Sequence, residues 1–204
     1  MAESCDMMST DKEEYTIRLL NRTKWWKRFL DVQRPYRMHL QHLQLGLVLD
    51  IGCGIGRNLI NIAGSARGIG VDHNSYSVEV AKSQGLIAFT PEEFRLSAYA
   101  DQAGFDSLLL SHVAEHMRYK EAISLLKEYL CYLKPGGRVV LITPQEAGYQ
   151  SDQTHVEFVD FHLAAMILKE CGLKVSKQYS FPLPRLFGKV FKYNEFITLG
   201  EKPE

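Results

Sequence analysis

The chain has 204 residues, of which 46% are hydrophobic and 24% charged: enough for one domain with a full core, and too apolar for a disordered chain. No apolar run reaches the roughly 18 residues of a membrane-spanning helix, and a formal net charge of zero argues against strong general affinity for nucleic acid. The four cysteines (Cys5, Cys53, Cys131, Cys171) show no zinc or disulfide spacing, and Met1 to Glu14 lacks the apolar centre of a signal peptide, so a reducing, cytoplasmic setting is expected.

Residues 1–10 read as a loose tail, and residues 11–32 as a helix with Ile17, Leu20, Trp25, Phe29 and Leu30 in or near one stripe. Gln33-Arg34-Pro35-Tyr36-Arg37 breaks it, and a second short helix, Met38 to Leu43, leads into the run Val48-Leu49-Asp50-Ile51. Gly52, Gly54 and Gly56 follow, and a helical pattern begins near Leu59. This is the form of a strand turning tightly into a helix. The glycines permit the turn and let a ligand approach the backbone, and the helix start offers unpaired N–H groups. A polar, anionic, nucleotide-like ligand is expected there. A dinucleotide turn wants a small residue where Arg57 stands, and the P-loop consensus is absent.

Ile69-Gly70-Val71-Asp72 reads as a second strand ending in an acid, 22 residues after Asp50 and suited to bind both hydroxyls of a ribose. A helix containing Val78, Ala81 and Lys82 follows. Phe105 to Val113 has the near-continuous apolar character of a strand buried on both faces of a parallel sheet. A helical pattern through Ala122, Leu125, Leu126, Tyr129 and Leu130 ends at Leu133-Lys134-Pro135-Gly136-Gly137, and Val139 to Pro144 is a further strand. Lys174 to Phe181 and Glu195 to Gly200 look like two closing strands, joined by a stretch, 181–194, too apolar and aromatic for a plain turn.

Four of these features together resemble the class I S-adenosylmethionine-dependent methyltransferases, in their small-molecule branch. They are the Asp-x-Gly-x-Gly-x-Gly run from Asp50 to Gly56, the acid at Asp72, the Phe105-Asp106 strand leading into Ser111 to Met117, and Leu-Lys-Pro-Gly-Gly before an apolar strand. With a weaker likeness continuing to Cys171-Gly172-Leu173, about two thirds of the chain is covered. The resemblance implies an α/β, Rossmann-like, doubly wound fold: a mostly parallel seven-stranded sheet with a C-terminal antiparallel pair. Residues 1–45 would be tail and lid helices, and residues 46–204 the methyltransferase domain, within a single domain overall. The implied activity is methyl transfer from S-adenosylmethionine to a small-molecule or lipid-like acceptor. Methylation of RNA or protein, and non-catalytic cofactor binding, are the alternatives.

The resemblance also implies site residues. Asp50, Gly52, Gly54 and Gly56 would lie against the methionine part of the cofactor and Asp72 would hold its ribose. Glu92, in the poorly matching stretch Phe89 to Phe94, would receive the adenine amino group, and Arg37 would pair with the cofactor's carboxylate. His112 would sit beside the reacting methyl and act as base, joined by His155, with Glu115 and His116 as further candidates. Glu115-His116 and the distant His155 partly resemble a metal-binding run of the small-RNA terminal 2′-O-methyltransferases, but His112 stands where that run has a Glu, and no metal is expected. Trp25, Trp26 and Tyr36 would pack or form the lid. From Asp11 to Leu45 eight Lys/Arg face four Asp/Glu, and from Leu173 to Asn194 there are five Lys/Arg and no acid, which favours an anionic acceptor if both flanks meet at the site. The 181–194 stretch would wall the acceptor site, with peripheral membrane contact as another reading.

Overall fold

The computed structural model describes residues 34–101 and 103–204. The helix expected over 11–32, with Trp25 and Trp26, lies outside them. The described chain opens with α1 (Arg34–His42). It begins before the expected Met38, with Pro35 and Tyr36 in its first turn. A proline there gives up only an N–H that has no helical partner.

Seven strands follow: β1 (Leu47–Ile51), β2 (Arg67–Val71), β3 (Ala88–Phe89), β4 (Phe105–Ser111), β5 (Leu133–Pro144), β6 (Lys174–Phe181) and β7 (Glu195–Glu201). They form one sheet in the order β3-β2-β1-β4-β5-β7-β6. The first five run parallel, and β7 lies antiparallel to both β5 and β6. The helices between them are α2 (Arg57–Ile62), α3 (Ser75–Ser83), α4 (Pro91–Arg95), α5 (Tyr119–Tyr129), α6 (Glu146–Tyr149) and α7 (Phe161–Glu170). This is the doubly wound architecture that the motifs imply.

Successive strand residues face opposite sides, so an apolar run supplies two cores at once. Leu49, Leu108, Leu110, Val139 and Leu141 pack with Phe94, Leu126, Ile167 and Leu168 beneath α4, α5 and α7. Val48, Leu109, Val140 and Ile142 pack with Leu40, Leu59, Ile62 and Val78 beneath α1, α2 and α3. Each fully buried aliphatic side chain contributes about 1.5–3 kcal/mol. Strand β5 starts earlier than expected: Leu133 already pairs with Phe105, the chain swings out through Lys134 to Gly137, and Arg138 rejoins opposite Ser107. Gly136 takes φ +69° in this excursion.

Chain order reverses at β1, which lies between β2 and β4, and ligands of open α/β sheets bind at the carboxyl edge there. The antiparallel pair feeds the same edge. Glu195, the first residue of β7, lies opposite Pro144 at the end of β5 and opposite Phe181 at the end of β6. The 181–194 stretch therefore rises from the edge where β1, β4 and β5 end.

Candidate functional site

The glycine loop joins β1 to α2. Gly52, Gly54 and Gly56 all have positive φ, and Gly52 and Cys53 donate their N–H groups to Val71 O at 2.7 and 3.1 Å. Two of the glycines make room for protein: a Cβ on Gly52 would strike Val113, and one on Gly56 would strike Leu86. Gly54 N–H donates to Asp72 Oδ2 at 2.7 Å, and Asn74 N–H to Asp72 Oδ1 at 2.8 Å. Asp72 thus ties the end of β2 to the loop, with its side chain 9% exposed. Asp50 is wholly buried, and neither carboxylate oxygen has a hydrogen-bond partner. Burial drives its carboxyl up to about 7; the Asn58 side chain pulls it down without reaching hydrogen-bond geometry, and the charge of Asp72 pushes it up.

At the exit of β4, His112 takes φ +59°, an uncommon conformation for histidine, anchored by its N–H to Ile142 O at 2.9 Å. Its Nδ1 meets Glu115 Oε1 at 3.1 Å and its Nε2 meets Glu195 Oε1 at 2.7 Å. Glu115 is wholly buried, on a 3-10 turn (Ala114–His116). The His112 side chain is 44% exposed although protein crowds it on most sides, so it lines a recess. Desolvation opposes the imidazolium, but the charge of Glu195 and the hydrogen bonds to Glu115 and Glu195 outweigh it and hold His112 well above the ordinary range. Both ring nitrogens of His112 are thus engaged by carboxylates, an arrangement that favours its protonated form over the base role expected of it.

His155 lies after α6, where Asp152 shapes the turn by accepting from Thr154 N–H (3.1 Å) and Oγ1 (2.8 Å). Its Nδ1 donates to Tyr149 O at 2.7 Å, and the Tyr149 ring stacks on it at 5.3 Å. His155 meets His116 with ring centroids 4.9 Å apart, and Glu115 connects this pair to His112. His116, His155 and Glu115, named in the sequence both as base candidates and as a partial metal-binding run, lie together in one cluster.

Other expected residues are placed differently. Glu92 is 74% exposed on α4 and bound to Arg95, which also reaches Glu128. Thr90 caps that helix, accepting from Glu93 N–H while the Glu93 carboxylate accepts from Thr90 N–H. The stretch read as a weak adenine motif is a helix start, and Glu92 on it pairs with Arg95 at 3.0 Å. Arg37 is half-buried on α1. Tyr36 packs edge-on to Phe181 at 5.4 Å and donates its hydroxyl to Tyr193 O, joining α1 to the 181–194 stretch. His39 does the same work, stacked on Phe181 at 4.2 Å with Nε2 2.6 Å from the Tyr179 hydroxyl.

Sequence reasoning missed Glu195 and the buried amides beside it. Gln145 Nε2 donates to Ser180 Oγ (2.8 Å) and Glu195 O (2.9 Å), and its Oε1 accepts from Asn194 Nδ2 at 2.9 Å. The signal available was topological: the first residue of an antiparallel closing strand falls beside the end of the strand it pairs with.

A family model described as a methyltransferase domain matches residues 23–178. A "tRNA U34 carboxymethyltransferase" from Pseudoalteromonas translucida is 25% identical over 157 residues, 67% of this chain and 48% of that protein, so the chain spans about half the length of this curated relative. A SAM-dependent methyltransferase from Archaeoglobus fulgidus is similar with a TM-score of 0.62 at 18% identity, over 88% of this chain and 100% of that one. Magnesium protoporphyrin IX methyltransferase from Synechocystis PCC 6803, solved with bound SAH, gives 0.65 at 14% identity over 95% and 96%. The chain belongs to the methyltransferase-domain family and has the Rossmann-like fold of S-adenosylmethionine-dependent methyltransferases.

Proposed function

We propose that the chain is an enzyme that transfers the methyl group of S-adenosylmethionine to a small-molecule or lipid-like acceptor. One observation carries the donor. The Gly54 N–H, which a phosphate would need, is already given to the Asp72 carboxylate, and Asp50 is buried two residues before the loop with no partner. The Asp72 carboxylate repels a pyrophosphate and favours a ligand carrying positive charge. S-adenosylmethionine has a sulfonium and an ammonium, and ribose hydroxyls that donate to carboxylates. A carboxylate has about four acceptor directions. Asp72 spends one on Gly54 and one on Asn74, and the others remain for a ribose. Arg37 is the cation we assign to the cofactor's carboxylate. When bound, the cofactor supplies an activated methyl group, and transfer breaks the methyl–sulfur bond with its electron pair left on sulfur. The protein's part is to align the acceptor and exclude water.

The 181–194 stretch supports the acceptor class. Leu186, Phe187, Val190 and Tyr193 are exposed there, among the exposed Lys189 and Lys192, while Arg185 is paired with Glu146. An apolar rim with cations suits an acidic small molecule or a lipid-like one. Among the described residues no helix is long and apolar enough to cross a membrane. The described cysteines, Cys53, Cys131 and Cys171, are unpaired, which supports our assignment to the cytoplasm.

Calorimetric titration with S-adenosylhomocysteine tests the donor; no saturable heat would overturn it. Incubation with methyl-tritiated cofactor and a fractionated cell extract tests the acceptor. Label is expected in the small-molecule or lipid fraction, and label confined to RNA or protein would overturn that half. The tRNA reading, which the carboxymethyltransferase relative motivates, requires RNA binding with a steep salt dependence.

A further inference from the structure

Glu115, His116 and His155 each offer one ligand atom, and these atoms all lie within 4.8 Å of one another. We infer that these three residues form a binding site for a divalent transition metal ion of the zinc class. The inference does not depend on the methyl-transfer reading.

Three features of the surroundings point to a metal rather than to chance proximity. First, the carboxylate is half used. Glu115 Oε1 meets His112, whereas Oε2 is buried with no hydrogen-bond partner. A buried oxygen of this kind is costly unless something satisfies it. Second, both rings are oriented through Nδ1. His116 Nδ1 lies 3.1 Å from Thr154 O, and His155 Nδ1 lies 2.7 Å from Tyr149 O. A carbonyl only accepts, so each Nδ1 carries the proton and each Nε2 carries the lone pair. That is how metal-binding imidazoles are fixed from behind. Third, the backbone staples the two halves together. The Glu115 carbonyl accepts from Val156 N–H at 2.7 Å and Glu157 N–H at 3.1 Å, directly after His155.

The donor set selects the ion. Two imidazoles and one carboxylate suit Zn²⁺, Co²⁺ or Fe²⁺, whereas Mg²⁺ and Ca²⁺ prefer oxygen ligands throughout. Ligands of a tetrahedral zinc at roughly 2.1 Å stand about 3.4 Å apart. The outermost pair must therefore close by about 1.4 Å, which side-chain rotation at His116 and His155 can supply. Three protein ligands would leave a position open for an exogenous oxygen or nitrogen.

Chelator-treated full-length protein titrated with CoCl₂ should develop visible d–d absorption that saturates at one equivalent and is displaced by ZnCl₂. His155→Ala should weaken cobalt binding by about 100-fold or more, while His162→Ala, on α7 and outside the cluster, should bind as wild type. Circular dichroism verifies that His155→Ala is folded. Should it not fold, ¹⁵N chemical shifts of the wild-type imidazoles decide: Nε2 of His116 and His155 should move on adding ZnCl₂, and His162 should not. Absence of a saturable band, equal cobalt affinity in folded His155→Ala, or ¹⁵N shifts that spare the cluster would each overturn the site.

Discussion

Replacing Asp72 by Asn separates the acid's two duties, loop anchor and ribose acceptor. The carboxylate accepts from two backbone N–H groups, Gly54 at 2.7 Å and Asn74 at 2.8 Å, within a nearly enclosed pocket. An amide has only one oxygen. Whichever way it turns, its NH₂ faces one of those N–H groups and leaves it unpaired. Hydrogen bonds to a charged group are worth about 1.5–3 kcal/mol, so the variant should lose roughly 2–3 kcal/mol of folding stability in urea. The ribose would meet a weaker, uncharged acceptor. A comparable loss of about 1.5–3 kcal/mol raises the Kd for S-adenosylhomocysteine by about 10- to 150-fold. Calorimetry on folded Asp72→Asn reads the second number and denaturation the first. A Kd within about twofold of wild type, with the stability loss present, would show that Asp72 only braces the loop and would refute the ribose assignment.

Gly56→Ala must hold an alanine at φ +84° and push its methyl into Leu86, so a loss of about 2–3 kcal/mol is expected in urea; a change below about 0.5 kcal/mol would contradict the packing at this turn. Desolvation by burial, with smaller contributions from His42 and Lys177, lowers His39 to about 4. Between that value and about 6.5 the unfolded chain binds a proton that the folded chain refuses, so stability falls as pH drops through this window. His39→Phe should flatten that part of a stability-against-pH curve, and an unchanged slope would dismiss the residue as its source. Leu186 and Val190 are 83% and 80% exposed, so changing both to Ser should alter stability by less than about 0.5 kcal/mol. It should raise KM for the acceptor at unchanged cofactor affinity, and an unaltered KM would remove the rim from acceptor recognition.

The parallel core was legible because buried strands write themselves as apolar runs closed by an acid or glycine, as in Val48 to Asp50 and Ile69 to Asp72. The third strand was not. Ala88–Phe89 is too short for any periodic signal, and Thr90-Pro91-Glu92-Glu93 spells a helix cap by its own local chemistry. Glu92 was picked by a family pattern laid over that cap, and the structure pairs it with Arg95. His112 was found, but one of its partners was not, because Glu195 arrives from the last strand. The glycines were assigned to a ligand, and only the packed structure shows Val113 and Leu86 filling the spaces beside Gly52 and Gly56. Likewise nothing local in the sequence sets His155 against Glu115; the loop after β5 does that.

The buried clasp of Gln145 and Asn194 has a consequence for how recognition can diverge. Asn194 Oδ1 also accepts from Leu183 N–H at 2.9 Å, and a Cβ on Gly188 would collide with Gln145, so the stretch between β6 and β7 is gripped at its base and at one point along it. Arg185 adds a tie to Glu146 and lies over the Phe196 ring at 4.8 Å, whereas Leu186 and Val190 point outward, 83% and 80% exposed. The segment behaves as an exchangeable cassette: with Gln145, Gly188 and Asn194 kept, its apolar and basic tips can be rewritten for a new acceptor while the strands, and the donor pocket they build, keep their register.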